Sequence, residues 1–203
     1  MPTNDPPIAL AMTGASGAPY GLRLLEMLLQ AGKDVSLLIS DPARLILEIE
    51  AGLELSPHPE EATTILAARY GAHAAQLTIF GPDEWTAPIA SGSNAPQSFV
   101  ICPCSSATLS AVATGASGNL LERAADVVLK ERRPLILVTR EMPLSVIHLE
   151  NMLKLARLGV IIMPASPGFY HRPQTIGDLV DFVVARILDH LGVQHTLASR
   201  WSG

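Results

Sequence analysis

The sequence has little cysteine, little charge and no long apolar run, and each shortage closes a class of function. Its 203 residues include two cysteines, Cys102 and Cys104. One proline separates them, so they cannot readily bridge each other, and no histidine or cysteine cluster joins them as a metal site. They read as two small buried residues at a strand end, which fits a cytosolic protein. Charged residues make up 16% of the chain and the net charge is -5. That balance argues against non-specific nucleic-acid binding, which relies on clustered Lys and Arg. No apolar run approaches the roughly 18–20 residues of a membrane span. Leu135–Val138 and Val160–Met163 are only strand length. Residues 1–7 lack a basic region followed by an apolar one, so they read as a tail and not as a signal peptide.

What is abundant is apolar surface. Hydrophobic residues form 48% of the chain, and the mean hydropathy is +0.31. Such a surplus in a soluble chain is usually buried against other subunits, so a homo-oligomer is expected. The length suits one α/β domain of 203 residues.

Apolar runs and turn residues alternate along the chain. Ile8–Met12 reads as a buried strand, followed by a Gly-rich turn and a helix over about Ala18–Ala31 that Gly32 stops. Val35–Ile39 is a second strand, with a short helix over Asp41–Glu50. Pro59–Tyr70 reads as a helix, Leu77–Phe80 as a short strand and Ser91–Asn94 as a flexible loop. Phe99–Cys102 is a strand that Pro103 ends. Helices follow over Ser105–Thr114 and Asn119–Glu131, the second capped by Asn119. Leu135–Thr139 is a strand. A helix over Ser145–Leu158 carries Val146, Leu149, Leu153 and Ala156 on one face. Val160–Met163 is the last strand. In the last helix, Thr175–Leu191, the residues Ile176, Val180, Val183 and Ile187 turn inward. Strands alternating with helices predict a mostly parallel central sheet in a three-layer sandwich, flavodoxin-like or Rossmann-like. Ligands of such sheets bind beyond the carboxyl ends of the strands.

Those ends hold most of the unusual residues. Thr13-Gly14-Ala15-Ser16-Gly17 joins a strand to a helix start, where free N–H groups and the helix dipole attract an anion such as a phosphate. A tight turn with no ligand is the alternative. The spacing Gly14, Gly17, Gly21 departs from G-x-G-x-x-G, which weakens a dinucleotide reading. Strand two ends in Ser40, with Asp41 one residue later. A hydroxyl there suits FMN at least as well as an acid suits NAD. Ser105, Ser106, Ala107 and Thr108 form a second turn rich in donors, unless Ser105 is only a helix cap. Arg123 and Lys130 share a helix face, and Asp126 stands where it can pair with both. Arg186 flanks the apolar stripe of the last helix, as a phosphate-seeking cation or as a surface side chain. Arg140-Glu141 can be a structural pair, or a phosphate clamp with a proton-transfer carboxylate. Tyr170 puts a phenol at the same edge. His148 and His171 read as ordinary polar residues.

Taken together, the segments Met12–Gly17, Ser91–Ser93, Cys102–Ser105, Glu122–Val127 with Leu129–Pro134, His148–Met152 and Pro167–Tyr170 resemble the UbiX-type flavin prenyltransferase family. The resemblance covers about nine-tenths of the chain and weakens over Ala51–Asp83. It implies a homododecamer. It implies an FMN site of Gly14, Ala15, Ser16, Ser40, Ser105, Ser106, Ala107, Thr108 and Arg140. It implies that dimethylallyl phosphate meets Ser91, Arg123, Lys130, Glu141, Tyr170 and Arg186, some from neighbouring subunits. Ser16, Glu50, Glu141 and Trp201 would be catalytic, with a C-terminal tail over 192–203 contributing to the site. The implied reaction joins the prenyl group to N5 and C6 of reduced FMN without a metal, and the product would pass to a UbiD-type decarboxylase. Two rival readings differ in their residues or their product. A cysteine-type flavin decarboxylase would carry a His near the first helix and Pro-x-Met-Asn. Here the corresponding segments read Gly17-Ala18-Pro19-Tyr20-Gly21 and Glu141-Met142-Pro143-Leu144. A non-catalytic FMN carrier would leave the flavin's mass unchanged.

Overall fold

Strands buried on both faces of a parallel sheet read as unbroken apolar runs. The structure, a computed structural model that describes residues 6–73 and 75–197, follows that rule. Four central strands are buried throughout: β1 (Ile8–Met12), β2 (Val35–Ile39), β4 (Ser98–Cys104) and β5 (Leu135–Thr139). The edge strands β3 (Leu77–Phe80) and β6 (Ile161–Pro164) are only partly covered. The sheet order is β3-β2-β1-β4-β5-β6, with every pairing parallel. The order reverses between β1 and β4, which opens a crevice at their carboxyl ends.

Helices α1 (Ala18–Gln30), α2 (Asp41–Ala51), α3 (Pro59–Tyr70) and α7 (Ile176–Leu191) cover one face, packing on Leu10, Met12, Leu37 and Val100. Helices α4 (Ser106–Thr114), α5 (Leu120–Lys130) and α6 (Val146–Arg157) cover the other, over Ala9, Ala11, Phe99 and Leu137. Cys102 belongs to the first layer and Cys104 to the second. Both thiols are free and buried. Burial pushes both pKa values up, that of Cys104 to about 12, so neither is a thiolate at neutral pH.

Three expectations are corrected. Strand β4 continues through Pro103 to Cys104, and a register shift between Ile101 and Cys104 absorbs the residue that cannot donate. Ser91–Asn94, expected as a flexible loop, contains the short 3-10 turn Gly92–Asn94, and a second such turn, Pro88–Ala90, precedes it. Ile176 is 78% exposed because it opens α7 at the rim, while Val180, Val183 and Ile187 are buried as expected. The apolar stripe of α6, whose direction periodicity leaves open, faces outward. Val146, Leu149 and Leu153 are exposed together with Ile147, and the helix buries only Leu155. Among the described residues no helix is long and apolar enough to cross a membrane.

Candidate active site

At the crevice, β1 and β4 are tied by one buried hydroxyl. Thr13 Oγ1 donates to the Pro103 carbonyl at 2.8 Å. The same oxygen accepts the Ser105 N–H at 2.8 Å. Ser105 then caps α4, its hydroxyl accepting the Thr108 N–H at 3.2 Å. The first two helical N–H groups, of Ser106 and Ala107, have no intrahelical acceptor and remain open to an anion at this edge. Ser40 caps α2 in the same way, accepting the Ala43 N–H. Ser40 and Thr108 line one cavity of about 230 Å³, with Asp41, Pro42, Asn119 and Glu122.

The first turn is packed tightly and already holds an anion. A Cβ on Gly14 would lie 2.5 Å from Pro42 Cβ, and one on Gly21 would lie 2.4 Å from the Cys102 carbonyl oxygen. Gly17 has φ of 124°, a backbone that favours glycine. These glycines serve helix and turn packing at least as much as ligand approach. The N–H groups of Gly17 and Ala18 both donate to Glu50 Oε2, at 2.9 and 2.8 Å. The anion at the start of α1 is therefore the protein's own carboxylate, delivered by the last turn of α2. Burial works to raise the Glu50 pKa. The Ser16 hydroxyl, the two N–H groups and the Arg140 charge outweigh it and hold the carboxyl below its usual range.

Arg140 and Glu141 follow β5 into the same crevice. Arg140 Nε donates to the Ser16 carbonyl at 3.1 Å. The Ser106 hydroxyl donates to Glu141 Oε2 at 2.9 Å, and the Met142 N–H to Oε1 at 3.2 Å. These two bonds, the Ser106 bond foremost, lower the Glu141 pKa, so the exposed carboxylate is ionised at neutral pH. An ionised carboxylate accepts a proton and does not supply one. One chain thus gathers Ser16, Glu50, Ser106, Arg140 and Glu141, with Gly14, Ala15, Ser40, Ser105, Ala107 and Thr108 around them.

The remaining cations do not join this group within one chain. Arg123 sits one turn into α5, its Nε donating to the Ala90 carbonyl at 3.1 Å and its Nη1 paired with Asp126 at 2.8 Å. Lys130 ends that helix, pairing with Glu131 and not with Asp126. Lys130 and Glu131 pack over Gly92, beside Ser91 and Ser93, whose hydroxyls are 3.0 Å apart. Helix α5 runs back along the sheet, so seven residues carry Lys130 about 10 Å from Arg123 toward the amino ends of the strands. Tyr170, in the segment before α7, and Arg186, on α7, form a third group. The Tyr170 ring meets Phe182 edge-on at 5.6 Å, and Arg186, one turn further, pairs with Asp189 at 2.6 Å. Trp201 lies outside the described residues. Sequence reasoning missed Thr13 as the clamp, although a hydroxyl directly after a buried strand was the available signal.

A family model described as Flavoprotein matches residues 2–188. The flavin prenyltransferase UbiX of Pseudomonas aeruginosa is 59% identical over 194 residues, which span 96% of this chain and 93% of that protein. A dodecameric FMN-dependent UbiX-like decarboxylase from Escherichia coli superposes with a TM-score of 0.85 at 42% identity, over 97% of this chain and 99% of that one. AnUbiX in complex with FMN and dimethylallyl pyrophosphate superposes with a TM-score of 0.87 at 35% identity, over 98% of this chain and 99% of that one. With this fold, this edge and near full-length identity to such relatives, the chain belongs to the flavoprotein family and, within it, to the UbiX-type flavin prenyltransferases.

Proposed function

We propose that the protein joins a dimethylallyl group from dimethylallyl phosphate to reduced FMN, and that residues 1–203 form one flavoprotein domain acting in the cytoplasm. The observation that carries the reading is the meeting of Ser16, Ser106, Arg140 and Glu141 at the crevice, next to the cavity lined by Ser40 and Thr108. Two capping hydroxyls and the open N–H groups of α4 suit a phosphate monoester such as the FMN tail. Gly14, Ala15 and Ser16 border the ring system, with Arg140 braced on the Ser16 carbonyl. When bound, reduced FMN supplies the nucleophilic N5 and C6 to which the prenyl carbons are joined as phosphate leaves.

The protein's own residues do the rest. Arg123, Lys130, Arg140 and Arg186 meet the charge of the departing phosphate, with Ser91 and Tyr170 as further donors, and no metal takes part. Glu141 accepts the proton released at the flavin. Glu50 orders the first turn through Gly17 and Ala18. Holding both reactants together lowers the entropic barrier. Because one chain splits these cations into groups, the complete site forms between subunits of a homododecamer. The outward apolar face of α6, with Val146, Ile147, Leu149 and Leu153, supports such an assembly. The product goes to a UbiD-type decarboxylase.

The test is to incubate the protein with reduced FMN and dimethylallyl phosphate and to measure the mass of the flavin. A gain of one five-carbon unit is expected, and an unchanged mass refutes the reading. Glu141→Gln should retain FMN while slowing product formation by about a hundredfold or more. Undiminished formation removes Glu141 from its role.

A further inference from the structure

We infer that Asp189 and His195 are positioning residues for Arg186, holding its guanidinium ready for the phosphate of the allyl substrate. This rests on the reading that Arg186 meets that phosphate. Phe182, Arg186 and Asp189 lie on one face of α7, at steps of four and three. Tyr170 packs at one end of this strip and His195 at the other. Arg186 alone is poorly restrained, with a side chain 55% exposed. An ordinary exposed pair at this spacing orders little, because two mobile side chains must be held at once.

Asp189 is different because it is held from its other side. Its Oδ2 takes Arg186 Nη1 at 2.6 Å, and its Oδ1 takes His195 Nε2 at 3.2 Å. His195 is itself fixed, with a side chain only 10% exposed and Nδ1 accepting the Leu197 N–H at 3.3 Å. A ring nitrogen that accepts carries no proton, so in the neutral ring the proton sits on Nε2 and is donated to Asp189. The chain reaches this point because α7 stops at Gly192, whose φ of 67° turns it back, and Val193 is buried. The carboxylate therefore has both oxygens engaged. It uses one nitrogen of Arg186 and leaves Nε and Nη2 as a fork for a bidentate anion. The segment 193–197 and the phosphate grip thereby become one mechanical unit.

The experiment compares Arg186→Gln, Asp189→Asn, His195→Phe and His195→Gln in the full-length, FMN-loaded protein. KM and kcat for dimethylallyl phosphate are measured, and its dissociation constant is taken by calorimetry. Asp189→Asn and His195→Phe should each raise KM and the dissociation constant by about tenfold, the low end for a charge-assisted hydrogen bond. Their kcat should stay within about twofold, and FMN affinity and Tm should be unchanged. His195→Gln should recover most of the affinity, because its amide N–H replaces Nε2–H. If Arg186→Gln weakens binding but Asp189→Asn and His195→Phe do not, the pair has no positioning role and the proposal falls. If the losses come with loss of FMN or of Tm, the role is merely structural and the proposal also falls. If Arg186→Gln leaves KM unchanged, Arg186 does not meet the phosphate, and the underlying reading is overturned.

Discussion

Replacing Thr13 with valine removes the one side chain that ties β1 to the start of α4 while keeping its shape. Thr13 is 1% exposed, so water does not readily take its place. The hydroxyl makes two bonds, but their loss is unequal. The Pro103 carbonyl keeps a second donor, the Thr13 main-chain N–H at 3.2 Å. The Ser105 N–H keeps nothing. The cost is therefore that of one orphaned, partly buried donor, about 1–3 kcal/mol. For a domain of this size each kcal/mol moves Tm by about 2–4 °C, so a fall of about 4–8 °C is expected at the middle of that range. Thr13→Ser keeps both bonds and loses one buried methyl, which costs about 1 kcal/mol. Urea unfolding at fixed protein concentration measures both variants, with an unchanged m-value showing that only stability moved. The valine variant should also bind FMN more weakly, because Ser105 caps α4. The argument is refuted if Thr13→Val is as stable as Thr13→Ser.

Three further outcomes are expected from the packing, charge and surface of the fold. Gly21→Ala places a methyl 2.4 Å from the Cys102 carbonyl oxygen, so α1 must lift from β4. Stability should fall by about 1–3 kcal/mol in the urea midpoint. Glu50 has its pKa held below the ordinary value of 4.5. Its contribution is complete above that value and is lost as pH falls through the lower folded one. Glu50→Gln should therefore flatten the acid limb of a stability-against-pH curve, and an unaltered limb would count against the α1 contact. Leu149→Glu places a charge within the outward face of α6. Sedimentation velocity should then show smaller assemblies, and an intact large assembly would mean that this face meets solvent.

The alternation of strands and helices was open to sequence reasoning for a physical reason. Parallel strands covered on both faces cannot hide as alternating patterns, and β1, β2 and β5 appear within their expected bounds. The cap Asn119 was equally plain, since an amide before an apolar helix has one favourable use, whereas Ser105 could be read as a cap or as a ligand donor and the structure shows it capping α4. The direction of the α6 stripe was not. Periodicity shows which residues share a face but not what covers them. The contact of Glu50 with Gly17 and Ala18 was also hidden, because it joins the end of one helix to the start of another. Only the resemblance sets Lys130 among the phosphate-binding cations, while its spacing from Asp126 suggests an ordinary helix pair. The direction of α5 carries it away from them, and only the fold supplies that direction.

Strand β1 lies at the middle of the sheet, yet its two neighbours are made at very different times. Strand β2 follows within one helix, whereas residues 13–97 separate β1 from β4. At synthesis rates of about 5–20 residues per second, the wait is on the order of ten seconds. Throughout that interval the ribosome presents an unpaired, wholly apolar strand margin, Ile-Ala-Leu-Ala-Met, to the cell. Nascent chains of this fold should therefore lean on chaperones most heavily before residue 104 emerges, and slow codons placed just upstream of β4 should lower the soluble yield.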